Sequence, residues 1–482
     1  MTAYRVMKMP QYGRVTDSLL RELEGIVGSE NVTTRVEELT CYMRDSSPLK
    51  LKADAIVRAT TTEQVADILK LANRKKIPVT PRGAGTGAAG SALPVVGGIV
   101  LDLYRMNRLL SIHVDDQIVV VEPGVVCDTL NDELAKHGFF FPPDPASSPA
   151  CTIGGMVGAD AAGNKAIKYG STRAFVLWLE AVLASGEIIT TGSKTLKSVS
   201  GLDLTRLFVG SEGSLSVFTK ICLKILPLPQ YYATGVFIYD SVDSLARSAM
   251  RVRRAGAIPE MMEFMNRKTT EAAFEYAGIK GFPEGNFMMI DVGGDSQDAV
   301  AASLEKCAAL CQDEKPIHVE KTTDKTYRMK FISARKAAFP ALARIKPTTT
   351  MEDCTVPPTK LPEAAVKIEE IPERVGVEGL ELGNFGHIGD GNLHPTFLYD
   401  ERIDEQRNAF FQALDILYNQ IVLPLGGSIT AEHGIGVIRA PFIEKEHPTS
   451  LAWMREIKRL FDPNLILNPG KGKGGPYPLG GK

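Results

Sequence analysis

The run PRGAGTGAAG at residues 81–90 constrains the fold more than any other stretch of the chain. Gly85, Gly87 and Gly90 satisfy GxGxxG, the fingerprint of a Rossmann dinucleotide-binding unit. That unit needs a strand before the glycines and a helix directly after them, so that a pyrophosphate rests on the helix N-terminus. Here the following residues are SALPVVGGIV, where Pro94, Gly97 and Gly98 forbid a helix and a strand is expected over 98–103. The helix comes before the loop instead. Thr60 and Glu63 read as a capping box ahead of Val65, Ile68, Leu69 and Ala72, which mark one apolar face, and a short strand is expected over 77–80. The resulting order is strand, glycine-rich loop, strand, in which consecutive backbone N–H groups can turn inward around an anion. Charge-assisted hydrogen bonds contribute roughly 1.5–3 kcal/mol each, so several hold a pyrophosphate without a lysine. A glycine-rich turn with no ligand gives the same pattern, and the loop alone does not choose.

A chain of 482 residues with 44% apolar content divides into two or three subdomains and can bury a large cofactor. Lys+Arg 55 against Asp+Glu 57 gives a net charge of −2, which provides no basic field for nucleic acid. Every apolar run is interrupted before it is long enough to span a bilayer, so a soluble protein, or at most one peripheral to the inner membrane, is expected. The seven cysteines include no CxxC pair, and their odd number argues against a disulfide framework; a reducing cytoplasm fits. Cys307 and Cys311 lie one helical turn apart with no third ligand nearby and read as packing residues. Arg5, Lys8 and Arg14 without an acid give the N-terminus the charge of a transit peptide, but Pro10 and Gly13 break any amphipathic helix, and a plain lead-in is expected.

Along the chain, LLRELEGIV predicts a short helix over 17–27 in a leader that runs to about residue 50. Strands are expected over 118–122, 176–183, 187–190 and 220–226, with a helix over 127–136. Pro227 and Pro229 mark a boundary at 228. Beyond it, strands at 235–239, 261–264 and 287–291 alternate with helices at 242–254, 268–276 and 299–311, suggesting a sheet covered on one face. A helix from about residue 404 leads into a C-terminal segment over 411–470, and GKGKGGPYPLGGK reads as a flexible tail over 471–482.

Two further glycine-rich stretches follow the first, FFPPDPASSPACTIGGMVGADAAGNKAIKYGS at 140–171 and VGSEGSLSVFT at 209–219. Small residues in such stretches let backbone approach a flat ligand. In this order the three segments resemble the FAD-binding domain of the vanillyl-alcohol oxidase type flavoproteins, within the branch of D-lactate dehydrogenase, the glycolate oxidase flavin subunit and D-2-hydroxyglutarate dehydrogenase. The resemblance runs from about residue 50 to residue 471. It implies an α+β chain with a two-part FAD-binding domain over 51–228, an α/β (ferredoxin-like) substrate domain over 229–410 and a C-terminal segment returning to the flavin. It also implies that Pro81, Arg82, Gly83, Ala84, Gly85, Thr86 and Gly87 wrap the pyrophosphate. Pro143, Asp144, Cys151, Thr152, Gly154 and Gly155 would run along the flavin, with Glu212 and Asn468 near its two ends. Ser214-Leu215-Ser216 departs from the SEGTLG of many relatives, which leaves one adenine-side contact open. No histidine lies in either of the first two loops, so noncovalent FAD is expected.

Four of the seven histidines follow residue 386, three of them in GHIGDGNLHP and TAEHGIG. His387 and His394 flank Gly389-Asp390-Gly391-Asn392 symmetrically, which predicts a hairpin with the two imidazoles facing each other across it. Glu432 is the best third ligand. Two nitrogens and one carboxylate oxygen describe a catalytic divalent site, with zinc first and manganese or iron as alternatives. Surface histidines beside an unrelated Glu-His pair are the plain alternative. Resemblance to the same branch makes His387, His394 and Glu432 the ligands and His433 the base.

The implied chemistry is oxidation of a small 2-hydroxy acid to the 2-oxo acid, with the hydroxyl proton going to a base and the C2 hydride to FAD. Arg335 in SARKAAFPALAR matches a carboxylate clamp, Lys360 in VPPTKLPE a second substrate contact, and Asn392 a hydrogen-bonding residue near the metal; solvated helix, surface and turn roles are the alternatives. No obvious extra cationic cluster for a second carboxylate appears over 229–400, which favours D-lactate over glycolate or D-2-hydroxyglutarate. No iron–sulfur or haem motif is present, so electrons would pass to a quinone, a cytochrome, an electron-transfer flavoprotein or an iron–sulfur subunit, with the chain a homodimer or a subunit of a complex. A catalytically silent electron-transfer flavoprotein subunit and an oxygen-reducing oxidase are the competing readings.

Overall fold

A computed structural model describes residues 10–471, in two compact units. The basic N-terminal stretch to residue 9 and, apart from Lys471, the tail expected over 471–482 lie outside the described residues. The first unit comprises the described residues up to Ala162, Ser171–Leu228 and the chain from Glu432 onward; the second comprises Gly163–Gly170 and Pro229–Ala431. The second unit thus continues past residue 410, through the helix Asp404–Asp415, to Ala431.

Among the described residues the first unit holds a four-stranded and a five-stranded sheet, with a two-stranded pairing of Phe139–Phe140 and Leu226–Pro227 beside them. Four strands lie in the order Val32–Thr33, Ala55–Arg58, Ile99–Asp102, Val79–Arg82, and the last three run parallel. Helices Asp17–Val27 and Thr62–Lys75 bury Leu19, Leu23 and Val27, and Val65, Ile68, Leu69 and Ala72, against Val57, Val79, Ile99 and Leu101. That is the i, i+3, i+4 face read from the sequence. Its cap lies one residue later than expected: Thr61 Oγ1 accepts from Gln64 N–H at 3.2 Å, and Gln64 Oε1 accepts from Thr60 N–H at 2.8 Å. Gln64 thus bonds the residue before the cap, Thr60, and not the N–H of Thr61 itself, so the cap is one-sided.

The strand expected over 77–80 starts at Val79 and runs through Pro81 to Arg82. Pro78 has no N–H to give a ladder, whereas Val79 N–H donates to Ile466 O and Val79 O accepts from Asn468 N–H, both at 2.8 Å. The C-terminal segment therefore pairs with the strand that feeds the glycine loop. Lys458 fastens the same segment: fully buried, its ammonium donates to Ser214 O and Asp462 Oδ2 at 2.6 Å and to Leu467 O at 2.7 Å. The second sheet is antiparallel, in the order Leu109–His113, Ile118–Val121, Val217–Lys224, Val176–Val182, Ile188–Gly192.

The second unit is built on an eight-stranded antiparallel sheet. Its first four neighbours are His318–Thr322, Tyr231–Tyr239, Asn286–Gly294 and Met261–Met265. Numbered along the chain, that is the 4-1-3-2 order of a ferredoxin-like fold, with Val242–Arg254 and Gln297–Gln312 as its two helices. Cys307 and Cys311 are buried on the second of these. Beyond Met261–Met265 the sheet continues through Glu381–His387, Asn392–Tyr399 and Thr348–Met351. This extension carries both hairpin histidines. Among the described residues no helix is long and apolar enough to cross a membrane.

Candidate active site

In the first unit, the glycine loop is held by its own arginine. Arg82 is buried and its guanidinium turns back into the protein, donating to Arg44 O at 2.8 Å and to Tyr42 O and Ala92 O at 3.4 Å, over the Tyr42 ring. Burial pushes its pKa down and Asp45 opposes the shift. The side chain braces the loop, so residues 83–87 offer a ligand chiefly their backbone. Thr86 O and Gly87 O anchor the far end by accepting from Ser46 Oγ and Ser46 N.

The second glycine stretch packs against the first. Thr152 caps a short helix, Ile153–Ala159, by accepting from Gly155 N–H at 3.3 Å. Cys151 O accepts from Cys127 N–H, Pro143 O lies 3.8 Å from the Cys127 thiol, and Asp144 N–H donates to Ala162 O, which fixes the course of the segment. Gly154 is crowded by Pro123. A Cβ on Gly83 would stand 2.2 Å from Thr152 Oγ1, so a side chain here would have to displace that hydroxyl from its capping position. Gly83→Ala is expected to weaken FAD binding about 5- to 150-fold, the equivalent of about 1–3 kcal/mol of overpacking, as read by FAD retained per chain after gel filtration.

Glu212 and Asn468, in the third stretch and the C-terminal segment, both adopt left-handed backbone, at φ 53° and 43°. Their side chains stitch the protein together. Glu212 accepts from Ile435 N–H at 2.7 Å, Gly436 N–H at 2.9 Å and Ser91 Oγ at 3.1 Å, while Asn468 Nδ2 donates to Ser91 O at 2.9 Å and Glu212 O at 2.5 Å. Lys471 donates to Leu93 O and Asn468 Oδ1, and burial pushes its pKa to about 7. Beside them Ser211, Ser214 and Ser216 are buried with hydroxyls that find no protein partner among the described residues. Buried hydroxyls need hydrogen bonds. A side-chain-free glycine strip next to three such hydroxyls suits a flat, polar-edged ligand such as FAD.

In the second unit, the histidine hairpin differs from the symmetric one expected. The turn is 388–391, centred one residue earlier, so His387 pairs with Asn392 and His394 with Phe385. Gly391 makes this turn possible, at φ 85° and with a Cβ position only 2.5 Å from Val356 O. Shifting the centre by one residue moves every partner by two, which keeps the face. The imidazoles are therefore diagonal neighbours on one face, their centroids 5.2 Å apart and their planes at 87°.

Each imidazole turns Nδ1 toward a buried carboxylate. His387 Nδ1 lies 2.8 and 2.9 Å from the two oxygens of Glu263, and His394 Nδ1 lies 3.6 Å from Asp353 Oδ1. Neither acid was read from the sequence. Glu263 is a lone acid in the apolar strand MMEFM, and Asp353 lies in a short linker between strands. Asp353 also accepts from Asn392 Nδ2 at 2.7 Å, Thr430 Oγ1 at 2.6 Å and Ala431 N–H at 2.8 Å. A π-helical turn, Ile416–Val422, brings Tyr418 to this pair, its hydroxyl donating to Glu352 Oε2 at 2.7 Å.

The three candidate substrate contacts fare differently. Arg335 is buried, not solvated, with Nη2 2.8 Å from Glu263 Oε2 and its guanidinium over the Phe385 ring. Asn392 opens a strand instead of sitting in the turn, and its amide is spent on Asp353 and Cys354 O. Lys360 is exposed on a short 3-10 turn with its ammonium 3.6 Å from Glu363, the arrangement of a solvated surface lysine.

Glu432 and His433 are the first two residues of the chain's return to the first unit, and their side chains are 9% and 17% exposed, 3.6 Å apart. The peptide preceding them is fixed by Asp353 at Ala431, and the one following by Glu212 at Ile435 and Gly436.

The fold defines a flavoprotein class. A crystal structure of p-cresol methylhydroxylase matches 96% of this chain and 97% of its own with a TM-score of 0.80 at 18% identity, a likeness of fold, that of the vanillyl-alcohol oxidase type. Residues 53–192 match the FAD binding domain and residues 228–472 the C-terminal domain of FAD linked oxidases. The chain belongs to this FAD-linked oxidase family and is an FAD-binding oxidoreductase. Its relatives include the glycolate oxidase subunit GlcD of Bacillus subtilis, 35% identical over 460 residues that cover 95% of this chain and 97% of that one. They also include a D-lactate dehydrogenase of Archaeoglobus fulgidus, 35% identical over 417 residues covering 86% and 90%.

Proposed function

We propose that the protein is an FAD-dependent dehydrogenase that oxidises a D-2-hydroxy acid, D-lactate first, to the 2-oxo acid, with a divalent cation held by His387, His394 and Glu432. The observation that carries this reading is the pair of neighbouring imidazoles, His387 with Nδ1 bonded to the buried Glu263 and His394 with Nδ1 3.6 Å from the buried Asp353. A carboxylate at Nδ1 fixes the tautomer that leaves Nε2 as the donor atom, which is the second layer of a metal site. A purely structural histidine has no need of the buried acid behind His387. The relatives' names point to the same substrate class.

FAD, when bound, would supply a two-electron acceptor for the C2 hydride, and a cation on His387, His394 and Glu432 would supply acidification of the substrate hydroxyl. The chain's own residues do the rest. Arg335 holds the substrate carboxylate, with the guanidinium oriented beforehand by Glu263 and Phe385. His433 Nε2 or Nδ1 takes the hydroxyl proton, and its place next to Glu432 lets one loop serve both tasks. The first-unit backbone at 83–87, Thr152 and the buried hydroxyls of Ser211, Ser214 and Ser216 hold FAD without a covalent link.

Glycolate is the second substrate to test, since one relative carries it in its name at the same identity as the D-lactate dehydrogenase. Anaerobic addition of D-lactate, glycolate or D-2-hydroxyglutarate to FAD- and zinc-replete protein is expected to bleach the flavin, fastest with D-lactate. Bleaching by none of them would leave a flavoprotein subunit without substrate chemistry of its own. Peroxide formation in air at the rate of turnover with an artificial acceptor would make it an oxidase.

A further inference from the structure

We infer that Glu263 is a positioning residue that couples the metal ligand to the substrate clamp, an inference that rests on reading His387 as a ligand and Arg335 as the clamp. Sheet register puts it there. Phe264 pairs with Gly386 and Met265 with Phe385, and continuing that antiparallel register by one residue sets Glu263 opposite His387. Its carboxylate is 1% exposed and is gripped from two sides: His387 Nδ1 at 2.8 and 2.9 Å, and Arg335 Nη2 at 2.8 Å on Oε2. A carboxylate without such donors would not be buried there as an anion.

The double contact has a chemical meaning. With both oxygens accepting, Glu263 makes His387 donate through Nδ1 and so raises the basicity of Nε2. The same group limits where the guanidinium can stand, so the ligand and the clamp share one reference point. Asp353 is not its equivalent behind His394, because it also binds Asn392, Thr430 and Ala431 and serves several segments at once. Glutamine at 263 has nearly the same shape but only one acceptor oxygen. Because His387 Nδ1 lies within 2.9 Å of both oxygens, the amide NH2 meets the imidazole N–H in either orientation, and the guanidinium as well in one of them.

The test uses the full-length, FAD-loaded chain and its Glu263→Gln variant. Zinc affinity is measured by competition with a chromogenic chelator, and KM and kcat for D-lactate at saturating zinc. The variant is expected to bind zinc about 10- to 100-fold more weakly and, once loaded, to show a KM raised by a similar factor with a smaller change in kcat. Both changes together support the coupling. A change in only one, or in neither, overturns it. Wild-type protein that binds no more zinc than a His387→Ala variant overturns it through the reading on which it rests, and so separates the two failures. If Glu263→Gln loses its FAD or its circular dichroism signal, the Glu263→Gln/Arg335→Met double variant, which has no buried unpaired guanidinium, replaces it. Zinc affinity equal to that of Arg335→Met alone then overturns the proposal, and weaker affinity supports it.

Discussion

Replacing His433 by alanine is expected to slow anaerobic flavin reduction by D-lactate about 10²- to 10⁴-fold, the range for loss of a general base, while FAD content and zinc content stay at the wild-type level. Placement and chain direction argue for this size of effect. Glu432 and His433 open the short segment that Glu212 holds at Ile435 and Gly436, which limits the freedom of the imidazole. His387 is committed through Nδ1 to Glu263, which leaves it a poor candidate for proton transfer. His447, half-exposed on the C-terminal part and 3.4 Å from Ser450, is the control: His447→Ala should reduce its flavin at the wild-type rate. Stopped-flow absorbance gives the rate free of the acceptor reaction. A His433→Ala enzyme within threefold of wild type would show that another group, or bulk water, removes the proton.

The parts of the fold legible in the sequence are those that local chemistry dictates. Pro94, Gly97 and Gly98 rule out a helix after the glycine loop whatever the rest of the chain does, and Ile99–Asp102 is a strand. The alternation after residue 228 gives the ferredoxin-like order because each helix must cross a sheet of neighbouring strands. What was not legible depends on partners far away in the chain. Glu263 and His387 are 124 residues apart, and nothing in MMEFM says that its one acid will face an imidazole. Arg82 stands beside a phosphate-type loop and reads as a phosphate contact, yet carbonyls at Tyr42, Arg44 and Ala92 take its donors first. The hairpin centre is a different failure. Both centres place glycine within the turn, and only the φ of 85° at Gly391, together with the Val356 carbonyl against it, picks the register. The imidazoles still meet because the error was two residues along one face.

Stripping the divalent cation with a strong chelator is expected to lower D-lactate turnover at least about 10³-fold with FAD still bound, and adding zinc, manganese or iron(II) to restore it. A proton on a hydroxyl next to a carboxylate is too tightly held for a neutral imidazole to remove quickly at pH 7 unaided, so several kcal/mol of barrier depend on the cation. His387→Ala and His394→Ala should reproduce the chelator's effect and resist rescue. The donor set, two imidazoles and a carboxylate, follows the general order of divalent affinity and does not by itself choose the ion. Affinity and activity can therefore be separated: the ion that binds tightest need not give the fastest flavin reduction, and a metal series on one apo-preparation reads both. Full activity in protein shown by elemental analysis to be free of metal would move the whole burden of proton removal to His433. The carboxylates behind His387 and His394 would then have to be explained as part of the sheet alone.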